Sequence, residues 1–127
     1  MDILLITNNC DCEEAFSEKC ACLFNESWDY GRVLREARDK IHAGYVLLGH
    51  PQSGSVKPNQ TPYRTIVLTE GQDGFNSVLM IEQAISTYEK FQKIRPTPDW
   101  PEEVLEDFRI IDMSLAREVL SSLRFIE

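Results

Sequence analysis

No apolar run in this chain approaches the ~20 residues a helix needs to cross a bilayer. Cations are scarce as well: 13 Lys and Arg stand against 21 Asp and Glu, a formal net charge of -8. A surface that follows nucleic-acid phosphates needs clustered Lys and Arg, so the composition argues against nucleic acid as a partner. An anionic membrane surface is a poor partner too, because no basic amphipathic helix or lipidation motif is present. Met1-Asp2-Ile3-Leu4 carries an acid where a secretory leader has a cation, so a cytoplasmic protein is expected. The chain also lacks a dinucleotide fingerprint, a nucleophile elbow and a His-Glu-x-x-His metal helix. Only two histidines, His42 and His50, offer acid–base chemistry near neutrality.

What is present suits one α/β domain over residues 1–127, with 43% hydrophobic residues to build a core. Continuous apolar runs at residues 3–6, 45–48 and 65–68 read as covered strands, with a fourth strand at 20–24. A short charged helix fits residues 13–19. Asp29 offers an N-cap for a helix in which Val33, Leu34, Ala37 and Ile41 share one face, and Gly44 suits the position just past its end. Asp73 offers a cap for a helix over 74–93, which the prolines from Pro96 onward end. Asp99 and Asp112 are the candidate caps of two further helices. Alternating strands and helices predict a three-layer fold, with a mainly parallel sheet of about four strands and helices on both faces.

Residues 49–64 break this pattern. The stretch Gly49-His50-Pro51-Gln52-Ser53-Gly54-Ser55-Val56-Lys57-Pro58-Asn59-Gln60-Thr61-Pro62-Tyr63-Arg64 is a long polar connection between two strands, with three prolines that limit its freedom. Ligands of open α/β sheets bind beyond the carboxyl ends of the strands. If the strands are parallel, this loop shares a rim with Asn8 and Asn9, which follow the first strand. The ligand-binding candidates are therefore Asn8, Asn9, His50, Ser53, Gly54, Ser55, Lys57, Asn59 and Tyr63. Ser53-Gly54-Ser55 with Lys57 can cradle a carboxylate or phosphate, whereas turn chemistry alone also accounts for Ser, Gly, Asn and Pro here. A small hydrolase or transferase using His50 and a loop serine is the alternative. No acid stands in sequence to orient His50, which favours a non-catalytic binding module without a cofactor.

Cys10, Cys12, Cys20 and Cys22 form two Cys-x-Cys pairs. Structural zinc sites commonly place two to four residues within each pair, so this spacing argues against a permanent metal centre. Cys20 and Cys22 fit a strand as small hydrophobes. Cys10 and Cys12, beside an Asn-Asn turn, are the expected reactive thiols.

Together, Ile6-Thr7-Asn8-Asn9, Arg38-Asp39-Lys40-Ile41-His42-Ala43-Gly44 and the block from Leu47 to Arg64 resemble the GrdX family. These small proteins are encoded beside the glycine, sarcosine and betaine reductases of amino-acid-fermenting anaerobic bacteria. The most specific part runs from His50 to Tyr63, and the resemblance covers residues 3–9 and 28–125, leaving out Cys10 to Cys22. It implies an accessory role in such a reductase system; with the loop chemistry above, the expected partner is a reductase subunit or a small anionic metabolite. It supplies no catalytic step.

Overall fold

The structure is a computed structural model that describes residues 2–52, 54 and 56–124. Its elements follow in the order β1 (Leu4–Thr7), α1 (Cys10–Phe16), β2 (Ala21–Phe24), α2 (Tyr30–His42), β3 (Tyr45–Leu47), β4 (Thr65–Glu70), α3 (Asn76–Ile94) and α4 (Glu102–Ser122). The four strands form one sheet in the order β2-β1-β4-β3.

The sheet is mixed, which corrects the expectation of a mainly parallel one. β1 pairs with β2 in parallel, but β4 runs antiparallel to both β1 and β3. The physical reason lies in the connections. Parallel neighbours need a crossover that passes over the sheet, usually a helix. Among the described residues, the segment from β3 to β4 contains none, and the chain folds back beside the strand it has just left. β3 still runs in the same sense as β1, since both oppose β4.

Successive strand residues point to opposite faces, and here they serve two apolar clusters. Ile6, Ile66, Leu68 and Leu47 pack with Val33, Leu34 and Ile41 of α2 and Ile81 and Ile85 of α3. Leu5 and Val67 pack with Cys12 and Phe16 of α1 and Ala116 and Leu120 of α4. Asp29 caps α2 by accepting from the Arg32 N–H at 2.7 Å. Gly44 follows α2 with φ +106°, a conformation that favours glycine.

Three expected caps are displaced. α3 begins after Phe75 with no side-chain cap at that position, while Asp73 accepts from the Ser77 N–H at 3.3 Å. Asp99 caps nothing, because α4 begins after Pro101 with no side-chain cap. Asp112 starts no helix either: α4 passes straight through it, and its carboxylate is 2% exposed. α1 also begins earlier than its charged residues suggest, with Asn9 as its N-cap.

Candidate functional site

The shared rim exists, although for a different reason than parallel strands. Thr7 at the end of β1 pairs with Thr65 at the start of β4, and the Leu48 N–H just beyond β3 donates to the Val67 carbonyl. The long loop therefore both leaves and re-enters the sheet on the side where β1 ends.

A buried polar network occupies that rim. The Asn9 N–H donates to Thr7 Oγ1 at 3.0 Å, and the Thr7 and Thr65 hydroxyls lie 2.7 Å apart. Thr65 gives its single hydroxyl proton to Asp112 Oδ2 at 2.7 Å, so Thr7 is the donor to Thr65. Asp112 Oδ2 also accepts from Asn9 Nδ2 at 3.0 Å and from the Cys12 thiol at 3.8 Å. Its other oxygen faces a guanidinium nitrogen of Arg64 at 3.5 Å. Arg64 is 6% exposed, lies 5.6 Å from the Tyr30 ring centroid and donates to the Pro51 carbonyl at 3.3 Å. A charge buried this deeply needs such pairing to be tolerated.

The network fixes the inner side of the loop. Asn8 donates to the carbonyls of Trp28 and Pro62 at 2.9 and 2.8 Å and accepts from the Arg64 N–H at 3.0 Å, satisfying both ends of its amide. Asn9 caps α1 through the Asp11 N–H. Asn59 donates to the carbonyls of Arg95 and Phe91 at 3.0 and 3.4 Å, at the C-terminal end of α3. Gly54, with φ +104°, lies so close to α4 that a Cβ there would sit 2.8 Å from Leu115 Cδ1. The voids beneath the loop, beside Arg64, measure only about 10 Å³ each, room for at most a water. A metabolite has no space there.

The expected site residues therefore separate. His50, Gly54 and Lys57 are exposed, whereas Asn8, Asn9 and Asn59 are buried and hold the chain together. Tyr63 is half-buried, its hydroxyl accepting from Arg109 at 2.9 Å. Ser53 and Ser55 lie outside the described residues. His50 Nδ1 accepts from the Gln52 N–H at 3.0 Å. In the neutral ring that bond leaves the proton on Nε2, which then is a donor and not a base. Arg64 and Asp112 were missed as key residues. Asp112 did leave a signal, standing four residues before Ala116 and eight before Leu120 on a stripe that is otherwise apolar.

The thiols also separate. Cys10 is exposed, but Cys12 is buried beside Asp112, which corrects its reading as a reactive residue. Cys20 packs in the second apolar cluster, with Cys22 half-buried against it. Among the described residues, no group of three or more His, Cys, Asp or Glu is placed to hold a metal. Burial pushes the Cys12 thiol far above its ordinary value, with the Asp112 charge adding to the effect. Cys22 is pushed up from 9.0 to about 11, first by burial and then by Cys20 and Glu13. A thiol whose pKa is raised on folding contributes stability that is complete below its unfolded value and is lost as pH rises through the folded one. Unfolding titrations should therefore show stability falling between roughly pH 9 and 11. Iodoacetamide at neutral pH should label Cys10 first and leave Cys12 untouched until the protein unfolds. Early labelling of Cys12 would contradict its burial.

No curated protein and no solved structure matches the chain. A family model described as GrdX-like protein matches residues 4–121, nearly the whole chain and all of the rim and loop. The chain belongs to the GrdX-like protein family.

Proposed function

We propose that this protein is a non-catalytic accessory protein of a glycine, sarcosine or betaine reductase system, acting as a binding module through the outer face of the 49–63 loop. The family match supports the setting. The observation that carries the binding role is the two-sidedness of the loop. Its inner residues Pro51, Asn59 and Thr61 are buried, while His50 and Lys57 face solvent. A loop held from within loses little further entropy on binding. The role offered to His50 and Lys57 is contact with a reductase component or a small anionic metabolite. The hydrogen bond accepted by His50 Nδ1 weighs against general-base catalysis.

Lys57→Ala tests this directly, since an exposed lysine can be removed without opening the core. Titrations against purified reductase components and small anions should show binding weakened by about one to two orders of magnitude, from one lost charge-assisted hydrogen bond. For an acidic protein partner the loss should fall mainly on association rate and shrink at high salt. Unchanged affinity for every ligand that the wild type binds would remove Lys57 from the site. Turnover abolished by His50→Ala would instead establish the hydrolase or transferase alternative.

A further inference from the structure

Beside the loop, the structure contains a groove of about 420 Å³ between residues 57–60, the end of α3 and the segment leading to α4. That volume falls within the range of small-molecule sites, ~300–1,000 Å³. Lys57, Asn59, Phe91, Ile94, Arg95 and Trp100 contribute to its lining.

The walls are tied to one another. The Trp100 indole N–H donates to the Gln60 carbonyl at 2.7 Å, and Gln92 Nε2 donates to Thr97 Oγ1 at 2.8 Å. Asn59 joins the loop to the last turn of α3 through its Nδ2. A groove with walls joined in this way is largely preformed, which lowers the ordering cost of binding.

Three kinds of chemistry meet there. Phe91, Trp100 and Ile94, the last 73% exposed, present apolar surface. Lys57 and Arg95 are exposed cations on a chain of net charge -8, and neither forms an ion pair among the described residues. Asn59 supplies an acceptor: its Nδ2 is committed to α3, and its buried Oδ1 has no hydrogen-bond partner. The C-terminal end of α3 carries partial negative charge, which opposes a dianion and favours a donor next to a single negative charge.

We propose that this groove binds a small organic acid, with its carboxylate on Lys57 and Arg95, its apolar body against Trp100, and an N–H donor toward Asn59 and the end of α3. The proposal rests on the loop as a binding element and names the class of small ligand it takes.

Calorimetric titration of the whole protein with L-phenylalanine tests it, with 3-phenylpropionate, L-phenylalaninamide and inorganic phosphate as matched probes. L-phenylalanine should bind saturably. Affinity should fall about tenfold or more with the amide, which lacks the carboxylate, and similarly in Lys57→Ala and Arg95→Ala. 3-Phenylpropionate should bind more weakly than L-phenylalanine because it lacks the N–H donor. In Trp28→Phe protein, where Trp100 is the sole tryptophan, the emission change should saturate with the same affinity. No saturable binding of L-phenylalanine or 3-phenylpropionate up to their solubility limits would overturn the proposal. Binding that survives both cation replacements would overturn it too. Reductase components are titrated separately: if they respond to Lys57→Ala while the acids do not bind, the groove fails and the docking loop stands. Binding of the acids without any such response leaves the groove and removes the docking loop.

Discussion

Asp112→Ala is expected to destabilise the protein by about 3–5 kcal/mol, because it leaves the buried Arg64 cation without its carboxylate. The donors on Asn9, Thr65 and Cys12 lose a common acceptor in the same step. For a chain of this size, the melting temperature should fall by roughly 10–20 °C. Asp107→Ala, which removes an exposed acid from the same helix, should stay within about 0.5 kcal/mol of wild type. The double replacement Asp112→Leu with Arg64→Met should recover part of the loss, since removing a buried pair together costs far less than stranding one member. Denaturant unfolding of the four proteins provides the check. A single replacement as mild as Asp107→Ala would show that the pair does not hold the rim.

The second large effect should come from Asn8→Ala. This side chain joins the end of β1 to the entry of α2 and to both Pro62 and Arg64, where the long loop ends. Its removal leaves a buried N–H and two carbonyls without partners, an expected loss of about 2–3 kcal/mol. The effect should be local as well as global. Limited proteolysis should cut within residues 49–63 much faster in Asn8→Ala than in wild type, at temperatures where both remain folded. Equal cleavage rates, with stability reduced, would mean that the loop is held from elsewhere.

The parts of this fold that were legible in the sequence are those set by local chemistry. Apolar runs located all four strands to within a few residues, and Asp29 and Gly44 marked both ends of α2 through their capping and left-handed preferences. Strand direction was not legible, because an apolar run at 65–68 looks the same in either sense. The lack of a helical apolar pattern in residues 49–64 was the available clue, and it pointed to an antiparallel return. Asp112 was misread because an aspartate before a helical stripe resembles a cap. Only its distant partners Arg64, Thr65 and Asn9 reveal it as a buried acceptor. The same limit applied to Asn8, Asn9 and Asn59: polar residues at a rim look alike in sequence whether they face a ligand or hold the chain. The Trp100 groove combines residues more than 40 positions apart, so no local pattern announced it.

If the 49–63 loop presents a binding surface supported from within, a partner must cover its outer face. Hydrogen-exchange footprinting of the whole protein, alone and with each purified component of the reductase, detects that cover. One component should slow exchange across the outer face of the loop, around His50 and Lys57, and Lys57→Ala should abolish this protection at moderate salt. Protection confined to another exposed surface, such as that around Phe75 and Leu79 on and before α3, would contradict a binding role for the loop.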